Sequence, residues 1–278
     1  MILRAALVQL NSCDDPAANL KLIEAYIREA HKGGATLIAT PEASNIISKS
    51  RSHQNNVLRL EELDQTLARL RCVAKELSVW LLIGSLILKT DDADGRFANR
   101  SFLVGPTGDI AAWYDKIHMF DVQLGAGEKY LESAQFRPGN RAVIAKTDFG
   151  KLGLTICYDL RFGHLHRELA KAGAKIITSP AAFTVPTGKA HWGVLLRARA
   201  IETGCFILAP AQCGTHAQGR KTFGHSIAVD PWGRVIAQAG TTPGVTFVDL
   251  DLNLVNEARG KIPALTHDRG FTLDDSQE

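Results

Sequence analysis

The sequence predicts an α/β protein built from two mixed β-sheets that face each other, with helices on the outer faces. Three observations predict it. Apolar runs of strand length alternate with amphipathic runs of helix length along most of the 278 residues, the alternation that marks α/β architecture. Two stretches, 101–115 and 225–239, carry a hairpin signature instead, so antiparallel pairs coexist with helical crossovers. The turns of these two stretches lie 125 residues apart and echo each other, as two similar sheets would.

The elements follow in order. Residues 1–10 read as a first strand; the apolar stretch is too short for a signal peptide, and no later run reaches the length that spans a bilayer. Asp15 and Pro16 make a helix start, Leu20, Ile23 and Ile27 recur at helical spacing, and Gly33-Gly34 stops the element. A short strand is expected at 35–40. Between 60 and 78, Leu63, Leu67, Leu70, Ala74 and Leu77 share one helical face, and the apolar run 79–88 reads as a strand. The hairpin turns are Gly105-Pro106-Thr107-Gly108 and Asp230-Pro231-Trp232-Gly233, each with proline second and glycine fourth, as in a type I turn. One domain is expected over 1–270, with a polar tail at 271–278.

Composition narrows the function. The chain is 45% hydrophobic and 22% charged with a net charge of +3, too small and too evenly spread for a nucleic-acid or anionic-membrane surface. Its five cysteines, Cys13, Cys72, Cys157, Cys205 and Cys213, are odd in number, scattered and without a CxxC pair. Neither a disulfide framework nor a zinc knuckle is indicated, and a reducing cytoplasm is the expected setting. His164 and His166 lack the helix motif or cysteine pair of a metal site, so no metal is expected. Gly125-Ala126-Gly127 lacks the third glycine of a dinucleotide loop, and residues 224–228 miss the last glycine of a serine-hydrolase elbow.

In open α/β sheets, chemistry collects just past the carboxyl ends of strands. Three ionisable residues directly follow apolar runs: Glu42, Lys116 and Cys157. Brought together they would form an acyl-transfer apparatus, with Cys157 attacking a carbonyl or nitrile carbon, Glu42 moving protons and Lys116 stabilising the oxyanion. The backbone N–H of Tyr158 would be a second oxyanion donor. Each residue also has a plain structural reading: a buried core thiol, a turn carboxylate, a solvated strand-end lysine, and for Asp159 with Arg161 a surface ion pair.

At these residues the sequence resembles a known family. "TPEAS" (40–44), "YDKIHMFD" (114–121) and "LTICYDLRF" (154–162) resemble, in order and separation, the three motifs of the nitrilase, or carbon–nitrogen hydrolase, superfamily. The resemblance implies an αββα sandwich, a Glu–Lys–Cys triad, hydrolysis of non-peptide C–N bonds through a thioester, no cofactor, and association into dimers or larger oligomers. It makes Glu42 the general base, Lys116 the electrostatic stabiliser and Cys157 the nucleophile. It also implies that Glu132, in "YLES" (130–133), positions the lysine or the substrate.

Residues 190–214 and 224–233 resemble the Nit branch, and most of all its deaminated-glutathione amidase type. That implies cleavage of the amide joining an α-ketoglutaryl group to cysteinylglycine; omega-amidase or N-carbamoyl and other small-amide hydrolysis are the alternatives. Carboxylates on such a small-molecule substrate call for arginine partners, and Arg161 and Arg220 are the candidates. Arg199 and Glu202 are expected as an intrahelical pair. The chain reads Arg161-Phe162-Gly163-His164 where many relatives read Arg-Phe-Pro-Glu. Losing proline at a helix start predicts a looser loop beside the pocket and leaves the substrate open.

Overall fold

A computed structural model of the chain describes residues 1–124 and 129–274. The expected first strand forms as β1 (Ile2–Gln9). Its side chains split by the period of two: Leu3, Ala5 and Leu7 enter a core shared with the second half of the chain, while Ala6 and Val8 join a cluster with helical residues. A strand buried on both faces belongs to a layered sandwich, and the remaining elements supply its layers.

The first half runs α1 (Pro16–Lys32), β2 (Leu37–Ala39), α2 (Arg51–Val57), α3 (Gln65–Leu77), β3 (Trp80–Leu88), β4 (Ala98–Val104) and β5 (Ile110–Asp115), followed by the small hairpin of β6 (Asp121–Gln123) and β7 (Lys129–Leu131). Asp15 caps α1 by accepting from the N–H groups of Ala17 and Ala18. Ile23, Ile27 and Ala30 then pack beside Leu67, Leu70 and Val73 of α3 on the outer face of the sheet. Leu63 departs from expectation: Asp64 caps α3 by accepting from Leu67 N–H, so the helix begins after Leu63, which is 63% exposed.

The second half runs β8 (Val143–Thr147), β9 (Gly150–Leu154), α4 (Gly163–Lys171), β10 (Ala174–Thr178), α5 (Val185–Thr203), β11 (Phe206–Ala209), the small pair β12 (Cys213–Thr215) and β13 (Lys221–Phe223), β14 (Ile227–Val229), β15 (Val235–Gln238), β16 (Gly244–Asp251) and α6 (Asn253–Lys261). Leu169 of α4 and Trp192, Leu196 and Ala200 of α5 join the core on this side. Residues 271–274, the described part of the tail, are exposed. Gly125-Ala126-Gly127 and 275–278 lie outside the described residues.

The sheets have the orders β16-β1-β2-β3-β4-β5 and β8-β9-β10-β11-β14-β15. Read in those directions, both show the same sequence of pairings: antiparallel, parallel, parallel, antiparallel, antiparallel. The echoing turns join the last two strands of each sheet. In both, the fourth residue donates to the first (Gly108 N–H to Gly105 O and Gly233 N–H to Asp230 O, 2.9 Å each), and the closing glycine takes φ of +84° or +82°, a left-handed conformation that glycine adopts without strain.

Candidate active site

The three strand-end residues meet. β2, β5 and β9 end at Ala39, Asp115 and Leu154, within three residues of Glu42, Lys116 and Cys157 respectively, and all three side chains line one cavity of about 470 Å³. Close approach of the two sheets' loops depends on Gly84, at a register irregularity of β3. A Cβ there would fall 2.0 Å from Thr40 O, 2.6 Å from Pro41 O and 2.6 Å from Pro180 Cβ. The adjacent Ser85 accepts Ala43 N–H on its Oγ at 2.8 Å, which pins the loop carrying Glu42.

Lys116 Nζ lies 3.0 Å from Glu42 Oε1 and 2.8 Å from each oxygen of Glu132. Glu42 also accepts Asn99 Nδ2 at 2.9 Å on Oε1 and Ala182 N–H at 2.8 Å on Oε2. Glu132 accepts Phe120 N–H at 2.6 Å. Cys157 begins a short 3-10 turn, Cys157–Arg161, with φ +50°, a left-handed conformation that costs a non-glycine residue energy. Cys157 N–H donates to Pro180 O at 2.9 Å, and the thiol hydrogen-bonds Glu42.

The electrostatics follow from burial and charge. Burial alone would raise the pKa of Glu42, but the Lys116 charge and hydrogen bonds from Cys157 and Lys116 outweigh it, so the carboxyl titrates below its ordinary value. Burial pushes the Cys157 thiol well up, and the Glu42 charge pushes it further than Lys116 pulls it back. Lys116 is held above its ordinary value because Glu132 and Glu42 overcome the cost of its burial. The resting arrangement is a neutral thiol beside a carboxylate, with a fixed ammonium between two carboxylates. Such a set can move a proton from sulfur as a bond forms, and can stabilise negative charge developing on an oxygen.

Residues 4–260 match the carbon–nitrogen hydrolase family. The chain is a member of that family. It is 39% identical over 267 residues to a deaminated glutathione amidase of Yersinia enterocolitica, covering 95% of this chain and 92% of the relative. It is 38% identical over 273 residues to the Homo sapiens deaminated glutathione amidase, covering 95% and 81%. The crystal structure of the C. elegans NitFhit protein superposes with a TM-score of 0.89 at 32% identity; the match covers 96% of this chain and 65% of that one.

In this carbon–nitrogen hydrolase the two candidate arginines part company. Arg220 lines the cavity with Lys49 and Lys129; one guanidinium nitrogen reaches Ala182 O at 3.3 Å, and its Nε is buried without a partner among the described residues. Arg161 does not line the cavity. It bonds His191 Nδ1 at 3.2 Å and lies 5.8 Å from the Tyr158 ring centroid and 5.7 Å from that of Phe183, two residues that do line it.

The alternative reading of Asp159 and Arg161 as a surface pair is overturned. Asp159 is fully buried, because the 3-10 turn sends the two side chains apart. Its carboxylate accepts Tyr114 Oη at 2.7 Å, Ile156 N–H at 2.8 Å and His118 N–H at 3.1 Å, and lies 2.7 Å from His118 Nδ1. Phe162 stacks on His118 with ring centroids 3.5 Å apart. Gly163 is the first residue of α4, and a Cβ there would lie 3.1 Å from an Arg199 nitrogen, so a larger residue would crowd that guanidinium. Arg199 pairs with Glu202 at 2.9 Å as expected and also donates to Leu160 O at 2.8 Å. Among the described residues, no group of three or more His, Cys, Asp and Glu is placed to hold a metal ion, and no helix is long and apolar enough to cross a membrane.

Proposed function

We propose that this carbon–nitrogen hydrolase cleaves a linear amide through a thioester on Cys157, and that its substrate is the α-ketoglutaryl amide of deaminated glutathione. The observation that carries the reading is Lys116 Nζ, in contact with both Glu42 and Glu132 inside the cavity that Cys157 lines.

The raised thiol pKa and lowered Glu42 pKa mean that sulfur is protonated at rest. Proton transfer to Glu42 therefore accompanies attack, as the C–S bond forms and the carbonyl oxygen becomes an oxyanion. Lys116 Nζ and the N–H of Tyr158, at the start of the turn, stabilise that oxygen. Glu132, itself anchored by the Phe120 N–H, holds the Lys116 ammonium in place. Glu42 returns the proton to the leaving nitrogen as the C–N bond breaks. It then takes a proton from the water that attacks the thioester, releasing the acid and restoring the thiol.

The relatives named deaminated glutathione amidase support the acyl group and the leaving group. Arg220, Lys49 and Lys129 supply positive charge suited to the two terminal carboxylates of that substrate, and Arg161 supports the wall beside Tyr158 and Phe183. Incubation with deaminated glutathione is expected to release α-ketoglutarate and cysteinylglycine, and Cys157→Ala to abolish the release. Ammonia from α-ketoglutaramate, or carbon dioxide from an N-carbamoyl compound, with no cysteinylglycine formed, would move the assignment to another amide. The same reading includes a cytoplasmic homo-oligomer, for which α5 leaves Val194 and Ile201 exposed on its outer face.

A further inference from the structure

Asn99, which the sequence gave no reason to notice, sits on β4 opposite Ile87 of β3 and is 3% exposed. Its Nδ2 donates to Glu42 Oε1 at 2.9 Å. A carboxylate only accepts, so this contact settles which end of the amide is nitrogen. Asn99 Oδ1 is therefore a defined acceptor. It is buried, it has no donor among the described residues, and Asn99 is among the residues that line the cavity. The backbone of Asn99 is fixed as well, since its carbonyl accepts Lys116 N–H at 3.0 Å. A rigid buried acceptor left without a donor destabilises the empty fold, and such an atom calls for a ligand that brings one.

We infer that Asn99 Oδ1 accepts the N–H of the scissile amide, which makes Asn99 a selector for N–H-bearing amides over esters. The inference rests on the thioester reading above. When sulfur adds to the carbonyl carbon, the amide nitrogen becomes pyramidal and its lone pair must turn toward the proton held by Glu42. With its hydrogen held by Asn99 Oδ1, the nitrogen has that orientation fixed, because Asn99 and Glu42 are themselves hydrogen-bonded. The proton passes from Glu42 to nitrogen, the C–N bond breaks, and the amine leaves. An ester oxygen carries no hydrogen and gains nothing from Oδ1.

The test compares an N-ethyl amide with the ethyl ester of the same α-oxo-dicarboxylate acyl chain, in the wild type and in Asn99→Ala. The variant loses the bond to Glu42 for both substrates, but only the amide loses the N–H contact. The ratio of kcat/KM for amide over ester is expected to fall about tenfold or more. An unchanged ratio in an active variant would overturn the inference and leave the thioester mechanism standing. Failure of the wild type to cleave either substrate would instead sink the mechanism. Should Asn99→Ala not fold, the wild type still decides: a tertiary N-methyl amide cleaved as fast as the secondary amide would overturn the role of Asn99, and its resistance would support it.

Discussion

Tyr114 donates its hydroxyl to Asp159 at 2.7 Å, joining the last strand of one sheet to the turn that carries the thiol of the other. Burial, then the charge of Asp159, pushes the Tyr114 pKa up, so the phenol stays a donor. One carboxylate thus ties the segment of Lys116 to the segment of Cys157.

Removing that carboxylate strands several buried donors at once. Asp159→Ala leaves Tyr114 Oη and the N–H groups of Ile156 and His118 without their acceptor, and is expected to cost roughly 3 kcal/mol or more, at about 1–3 kcal/mol per stranded group. Tyr114→Phe removes one bond and should cost about 1 kcal/mol. Urea unfolding measures both; equal losses in the two variants would show that Asp159 does not act as the shared acceptor.

Lys116→Met leaves Glu42 and Glu132 facing each other without their cation. Breaking a buried ion pair from one side typically costs about 3–5 kcal/mol. In the variant the Glu42 carboxyl is buried without the charge that had lowered it, so its folded pKa rises above the unfolded value. Stability from such a group is present below the unfolded pKa and lost as pH rises through the folded one. The deficit against wild type should shrink in acid, and a deficit independent of pH would contradict the bridging role of Lys116.

Two buried histidines, His166 and His216, are expected to weaken the wild type in acid. Burial drives His166 and His216 down to about 4 from 6.5. For a depressed histidine, stability is intact above the unfolded pKa and is lost as pH falls toward the folded one. Each therefore withdraws roughly 3 kcal/mol between about pH 6.5 and 4. His216 lies 2.8 Å from Ser12 O through Nδ1 and 2.6 Å from Thr222 Oγ1 through Nε2. A His216→Gln variant should unfold with a shallower pH dependence in this window, and an unaltered slope would place the acid sensitivity elsewhere.

Gly84→Ala places a methyl group at 2.0 Å from a carbonyl oxygen of the Glu42 loop. The carbonyl oxygens of Thr40 and Pro41 and the Pro180 ring leave it nowhere to go, so the loop carrying Glu42 must shift. Turnover is expected to fall about a hundredfold, as small misplacements of reacting groups do, and the thermal transition to drop. Full activity would mean that loop and strand tolerate separation.

The meeting of Glu42, Lys116 and Cys157 was legible because each residue ends an apolar run, a grammar that survives in sequence. Glu132 was legible only through family resemblance, since it closes a short hairpin with no apolar run before it. Asn99 and Ala182 were not legible: the first lies near the start of β4 in "FANRSF", where only the β3–β4 register points it at Glu42, and the second contributes a main-chain N–H that any residue but proline would supply. The plain reading of Asp159 with Arg161 as a surface ion pair fails because both lie in a 3-10 turn that buries the carboxylate, a turn the sequence does not announce. Leu63 fitted the helical spacing, yet the cap at Asp64 decided where the helix began. Gly84 did carry a signal, because glycine inside a strand marks close approach of another backbone.

Glu42 and Lys116 come from one sheet, whereas Cys157 and the Ala182 N–H come from the other, and each sheet carries the same run of pairings. Neither half of the molecule holds the proposed reactive centre by itself; its groups meet at the seam. On the proposed mechanism, catalysis is therefore a gauge of sheet docking. A slight parting of the layers, too small to unravel any helix or strand, would silence the thiol first, so turnover would fade with heat or denaturant before the circular-dichroism signal moved.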